Sequence, residues 1–357
     1  NTKADLFAVF MEKCEELLGK SGYYGMINQH SWMFLASFEK YRERLLLENN
    51  IINMLHLGPR AFEEIGGEVV QSTAFIMMKN KLNDYICVYI RLVDFGNARE
   101  KEVKTLEAIE NPDCRYYYET SQDNYKLIPG SPIAYWASEK VYEIFNKEIT
   151  LESYSDIRLG LSPGRTEHFL RLWYEVGCFF KENLGLTREK AKESKLKWFP
   201  CNKGGTFKKW YGNNEYFINW ENDGYEIRNL KDDSGKLISR PQNLEYQFKE
   251  HIGYSRITSS ETSFRYYPEG TIFTDSSSGI FVKDTKYLLG YLNSKIPIEI
   301  LKFLNPTLNY QAGDIKNIPI IFSETHKPEI DSLVQENIEI SKIDWDSFET
   351  SWDFEIH

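Results

Sequence analysis

Between Gly22 and Lys79 the chain carries three apolar runs, Gly22–Gln29, Ile51–Leu57 and Val69–Lys79, whose spacing leaves few ways to fold. Only Gly58–Gly67 separates the second run from the third. That loop is too short for a helical crossover, so the two runs are predicted to pair antiparallel. Between the first and second runs, Phe38, Tyr41, Leu45 and Leu46 recur at helical spacing behind Ser37 as a cap. The stretch therefore reads as strand, helix, strand and a reversed third strand.

The flanking sequence extends this pattern. Thr2 and Asp5 have the spacing of a capping box, and Phe7, Phe10, Met11, Cys14, Leu17 and Leu18 follow on one helical face. Gly19–Gly22 stops that helix. Its Gly19-Lys20-Ser21 is read as a turn, because a phosphate-binding loop needs glycine at the position of Cys14 and follows a strand. Tyr85–Arg91 is a further predicted strand. From Asp94 to Asp123 the chain becomes charged and weakly patterned, which sets an expected boundary near residue 100, with regions 1–100 and 101–357. In the second region a helix capped by Thr166 is predicted to carry Phe169, Leu172, Trp173, Val176 and Phe180 inward. Residues 198–283 read as short aromatic strands between turns at Asn213-Asn214, Asn222–Gly224, Asp232–Gly235, Pro268–Gly270 and Ser276–Gly279. Helices around Tyr287–Leu292 and Ile298–Leu304, a strand near Ile318–Phe322 and a helix opened by Thr325 complete the reading.

Bulk properties narrow the class. The 357 residues are 41% apolar and 15% aromatic, ample for two or three buried cores. No apolar stretch approaches the roughly 18 residues of a membrane span, and no signal-peptide pattern precedes Asp5, so the expected location is cytoplasmic. Cys14, Cys87, Cys114, Cys178 and Cys201 are dispersed, and His30, His56, His168, His251, His326 and His357 show no metal-ligand spacing, so no metal site is expected. The net charge of -10 is concentrated: Glu329–His357 holds nine acids against one lysine, whereas Thr187–Trp210 holds eight Lys/Arg against two Glu. Phosphate contacts are local, so this balance is compatible with a nucleic-acid partner. The opening at Asn1 and the close in an aromatic-acidic run read as borders within a longer polypeptide.

Three segments carry a resemblance: Asp5-Leu6-Phe7, Leu18–Trp32 and His56–Phe75. They resemble the late motifs of amino-group DNA methyltransferases, and are similar in particular to the adenine-specific methyltransferases of bacterial BREX phage-defence systems. Lys197–Asn214, Leu304–Pro319 and Trp345–Phe354 are similar to the target-recognition region of that family. The resemblance implies an α/β fold, the C-terminal half of a class I (Rossmann-like) methyltransferase sheet followed by a mixed α+β target-recognition domain. It implies transfer of a methyl group from S-adenosylmethionine to adenine N6 in a specific site of double-stranded DNA, with other phage-defence proteins as partners. By the same resemblance Asp5, Leu6 and Phe7 border the cofactor's adenine, and Phe62 stacks on the extruded base. From the residues alone, Asp5 is equally a helix cap, Leu6 and Phe7 core residues, and Phe62 a loop residue tucked on the sheet.

No catalytic residue is expected within the chain. The family's Asn/Asp-Pro-Pro-Tyr/Phe segment and glycine-rich cofactor turn do not occur; Asn111-Pro-Asp-Cys114 and Asn305-Pro-Thr-Leu308 lack the second proline and the aromatic. Both elements are expected N-terminal to Asn1, and the chain alone is expected to be inactive. Leu161–Glu167 also departs from the polar sequence the family places before its next helix. The basic, aromatic Lys195–Trp210 segment suits phosphate binding, with Lys203, Lys208 and Lys209 as contacts. Arg256, Arg265, Ser277, Ser278, Asn309 and Gln311 are the candidate base readers. Two other readings stay open at this level: a DNA-recognition module without chemistry of its own, working with a separate catalytic partner, and a scaffold that recruits defence proteins through its acidic end.

Overall fold

The computed structural model describes residues 5–62, 70–177, 180–256, 261–305 and 310–354. Two compact units divide between Lys147 and Glu148, with a short return of the chain to the first at residues 303–305. The division falls later than the charged stretch suggests, because that stretch holds a helix and a strand that complete the first sheet.

The first unit begins with α1 (Leu6–Leu17), β1 (Tyr23–Gln29), α2 (Glu39–Glu48), β2 (Asn49–Gly58) and β3 (Ser72–Lys79). It continues with β4 (Ile86–Arg91), α3 (Ala98–Glu110), β5 (Tyr117–Ser121) and α4 (Glu139–Lys147). The three apolar runs share one sheet of order β1-β3-β2-β4-β5. As the short loop dictates, β2 and β3 are antiparallel; β3 is also antiparallel to β1, and β2 is parallel to β4. Hence β1, β2 and β4 point the same way, with β3 reversed between the first two.

One face of this sheet is closed by Met11, Phe38, Tyr41, Leu45 and Leu46 over Tyr24, Met54, Phe75 and Met77. Arg44 ties the covering helices together, its Nη2 2.8 Å from Glu12 Oε1. The other side of β1 is open. Tyr23 and Ile27 are each 59% exposed, and among the described residues nothing pairs with the strand's outer edge. Hydrogen bonds from Lys79 N to Gly22 O and from His30 N to Gln71 O set the phase of the ladder. The N–H and C=O groups of Tyr23, Gly25, Ile27 and Gln29 therefore point to that open edge.

The second unit opens with α5 (Leu151–Tyr154), β6 (Asp156–Leu159), α6 (Thr166–Phe169), β7 (Leu170–Leu172), α7 (Arg188–Ser194), β8 (Trp198–Asn202), β9 (Tyr216–Asn219) and α8 (Glu221–Arg228). Strands β10 (His251–Ser255), β11 (Phe264–Tyr267), β12 (Ile272–Phe273) and β13 (Ser277–Phe281) follow. Helices α9 (Thr285–Asn293), α10 (Lys295–Leu304), α11 (Ala312–Lys316) and α12 (Lys327–Asp346) complete it. Two sheets form, of orders β11-β10-β13-β6 and β12-β8-β9-β7.

Three local expectations are corrected here. The helix expected from Thr166 ends at Phe169, because Leu170–Leu172 pairs with Tyr216–Ile218. Ser277–Gly279, expected in a turn, lies in β13, a strand hydrogen-bonded on both sides. The strand expected near Ile318 reduces to a single bridge between Pro319 and Thr150. The Asn222–Gly224 turn does form, with all three residues left-handed at φ of 52°, 60° and 69°. Asp223 there receives both Arg188 and Arg228 at 2.8 Å.

Candidate functional site

Ligands of open α/β sheets collect where parallel strands end. In the first unit those ends are Gln29, Gly58 and Arg91, and the residues there are held by unusual anchors. Gly58 turns the chain out of β2 at φ +67°, and a Cβ on it would lie 2.8 Å from the Val93 Cα. Only glycine meets both demands. The loop it starts carries Phe62, which is 43% exposed.

Lys101 of α3, 2% exposed, sends its Nζ to Leu57 O and Leu92 O, each at 2.7 Å, and so ties the ends of β2 and β4 together. Burial lowers its pKa. Arg42, 1% exposed, binds the loop after β1 to the loop after Ile128. Its Nη1 donates to Trp32 O at 2.9 Å and Leu35 O at 3.2 Å, and its Nε to Gly130 O at 2.9 Å and Ser131 O at 3.0 Å. These partners are all carbonyls, and burial lowers its pKa to about 10.

Between these anchors lies a pair of histidines that spacing along the chain does not reveal. His30 Nδ1 is 2.8 Å from His56 Nε2, and His56 Nδ1 is 2.9 Å from the Tyr135 hydroxyl. His56 is wholly enclosed, and its pKa lies well below the usual imidazole range because of burial, with His30, Arg91 and Lys101 adding to the effect. Burial also lowers His30, to about 4. Phe34 and Trp136 flank the pair, and Arg91 lies 5.4 Å over the Trp136 ring. Among the described residues no group of three or more His, Cys, Asp or Glu could hold a metal ion.

At the start of α1, Asp5 has the extended backbone of a cap, yet its carboxylate makes no cap hydrogen bond. Leu6 is 67% exposed, while Phe7 packs 5.5 Å from Phe38. Asp5 and Leu6 thus present an acceptor and an apolar side chain to solvent side by side. Thr2 lies outside the described residues.

In the second unit the expected DNA contacts separate into two groups. Lys203 Nζ sits 4.2 Å over the Tyr216 ring, Lys208 lies 3.7 Å from Asp344, and Lys209 Nζ donates to Asn293 O at 3.1 Å. Arg256 Nη2 reaches Gln311 Oε1 at 2.9 Å, so these two do come together. Arg265, Ser277 and Ser278 are instead fully enclosed. Arg265 donates to Ser255 Oγ at 2.9 Å and Tyr267 Oη at 3.1 Å, and Ser277 Oγ donates to Tyr254 O at 2.9 Å. In this structure Arg265 and Ser277 brace the sheet from within. Asn309 lies outside the described residues. Among the described residues no helix is long and apolar enough to cross a membrane.

Residues 1–62 match the family described as Eco57I restriction-modification methylase. Across 99% of its length the chain is 44% identical to the adenine-specific methyltransferase PglX of Lacticaseibacillus casei (strain Zhang), of which it spans 29%. Over the same share it is 37% identical to the adenine-specific methyltransferase BrxX of Escherichia coli O9:H4 (strain HS), of which it spans 28%. Among solved structures, its fold is similar to the type IIL restriction-modification enzyme MmeI in complex with DNA, at TM-score 0.57 and 11% identity, covering 98% of this chain and 46% of that one. It is also similar to a nuclease-deletion mutant of the type ISP restriction-modification enzyme LlaGI with a DNA substrate mimic, at TM-score 0.52 and 11% identity, covering 95% of this chain and 31% of that one.

Proposed function

We propose that this chain, a relative of the PglX and BrxX adenine-specific methyltransferases along nearly its whole length, supplies two parts of such an enzyme: the closing half of its cofactor-binding sheet and its DNA target-recognition region. The activity is transfer of a methyl group from S-adenosylmethionine to adenine N6 in double-stranded DNA, within phage defence. The observation that carries this reading is the reversed strand β3 inserted between β1 and β2. That arrangement closes a methyltransferase sheet, and its open side is β1, with backbone groups unpaired among the described residues and the exposed Tyr23 and Ile27. We assign that side to the remaining part of the sheet, which the relatives' greater length would provide.

S-adenosylmethionine supplies the methyl group when bound. In this chain the residues that fit its adenosine are Asp5, whose carboxylate is unused by the helix, and Leu6, whose side chain is exposed, with Phe7 supporting them through Phe38. Phe62 stacks on the adenine once it leaves the duplex, an exposed ring on a loop aimed by Gly58 and Lys101. Lys203, Lys208, Lys209, Arg256 and Gln311 form the DNA-facing set of the second unit. Arg265 and Ser277 keep its sheet in shape.

Replacing Phe62 by alanine in the full-length protein tests the assignment. Stacking contributes about 1–3 kcal/mol per base, so turnover on DNA should fall roughly 10- to 100-fold. The fluorescence rise of 2-aminopurine at the target position should shrink in parallel. Unchanged turnover with a full fluorescence rise would remove Phe62 from base capture.

A further inference from the structure

The hydrogens of the Tyr135–His56–His30 chain can be placed from its geometry. Tyr135 is 2% exposed, and His56 Nδ1 is the hydrogen-bond partner of its hydroxyl among the described residues. If the hydroxyl donates to Nδ1, a neutral His56 carries its proton on Nε2 and donates to His30 Nδ1. His30 then carries its own proton on Nε2. The reverse arrangement leaves an enclosed hydroxyl hydrogen without an acceptor, which proteins avoid. Arg91 and Lys101, the cations facing His56, act with burial against a second proton on the pair.

His56 and Tyr135 are interior groups. His30 is half-buried at the end of β1, where its Nε2 has no partner among the described residues. We propose that His30 is a binding residue for the target nucleotide, donating from Nε2 to one hydrogen-bond acceptor on it, and that His56 and Tyr135 are positioning residues that fix His30 in this single donating form. The proposal rests on the methyltransferase reading above. The acceptor belongs to one of two sources, a ring nitrogen of the extruded adenine or a phosphate oxygen beside it, and both take a neutral N–H.

The test uses the full-length protein and duplexes that carry adenine, 1-deaza-, 3-deaza- or 7-deazaadenine at the target, or a methylphosphonate at either flanking phosphate. His30→Ala should lower kcat/KM on adenine about 10- to 100-fold, the loss of one hydrogen bond in an enclosed site. On the one substrate that lacks the matching acceptor, it should lower kcat/KM no further. Which substrate this is separates base from phosphate. Tyr135→Phe keeps the ring stacked on Tyr89 at 4.4 Å and removes only the hydroxyl. It should cost about 3- to 10-fold on adenine and nothing more in the His30→Ala background, whereas a purely structural role would add to it. Equal losses from His30→Ala on every substrate would overturn the proposal.

Long-range nitrogen–proton spectra of protein labelled with 15N-histidine give a readout independent of turnover. Signals are assigned by their disappearance in His30→Ala and His56→Gln. Protons on Nε2 of both rings support the proposal, and a proton on His30 Nδ1 overturns it. An inactive wild-type protein would strike at the methyltransferase reading, whereas a proton on His30 Nδ1 in an active protein would strike at the present one alone.

Discussion

Replacing Arg42 by alanine is expected to destabilise the first unit by about 3–5 kcal/mol, the combined cost of enclosed carbonyls left unpaired and of a cavity. The guanidinium of Arg42 is the shared donor for the carbonyls of Trp32, Leu35, Gly130 and Ser131. Each is left without that partner when it goes, and the deleted side chain also leaves a cavity. Such a loss corresponds to a fall of roughly 10 °C in the melting temperature of a unit this size. Arg42→Lys keeps a charge but has no planar fork to span two loops, so it should recover less than half of the loss. Urea titration of both variants checks the order. The consequence for function is direct, since the clamped loop begins at His30 and passes through Trp32, which itself donates to Asn28 Oδ1 at 3.1 Å.

The second large effect is expected at Gly160, where β6 passes into Leu161. A Cβ at this position would stand 2.2 Å from the Thr274 carbonyl oxygen and 2.6 Å from that of Phe273. Both obstacles are backbone, and they are fixed in place by hydrogen bonds from Leu161 N to Phe273 O and from Asp275 N to Leu161 O. Neither neighbour can rotate away. Gly160→Ala should therefore cost about 3 kcal/mol or more, at or beyond the upper end of ordinary overpacking, and the second unit should melt early or accumulate in insoluble form. Gly313→Ala is the control: it sits in α11 with nothing within 4 Å, and should leave stability within about 1 kcal/mol of wild type or raise it. Equal behaviour of the two variants would mean that the close passage of backbones at Gly160 is not a constraint.

What the sequence disclosed follows from how local each decision was. The pairing of β2 with β3 was legible because ten residues cannot carry a crossover, and the left-handed turn at Asn222–Gly224 because its residues tolerate positive φ. The helix expected through Leu172 was not, since Phe169, Leu172, Trp173 and Val176 satisfy helical spacing while Leu170 is claimed by Ile218, 48 residues away. Small polar residues misled in the same way at Ser277–Gly279, which a ladder on each side converts into strand. The meeting of Lys208 with Asp344 was also out of reach, since 136 residues separate the two.

The candidate site shows the same division. The start of α1 was legible from the helical spacing of Phe7, Met11 and Cys14. The contact between His30 and His56 was not, because 26 residues separate them and their meeting depends on β3 sliding between their strands. Lys101 and Arg42 were equally hidden. A lone basic residue in a helix reads as solvated surface until the carbonyls that surround it are seen.

The claim on which the rest depends is that β1 is an interior strand of a larger cofactor-binding sheet. A structure of the full-length protein with S-adenosylmethionine bound tests it directly. It should show a strand parallel to β1, hydrogen-bonded to the backbone of Tyr23, Gly25, Ile27 and Gln29, with the cofactor beside Asp5 and Leu6. A β1 that remains at the sheet's edge, or a cofactor bound away from the carboxyl ends of β1 and β2, would contradict it.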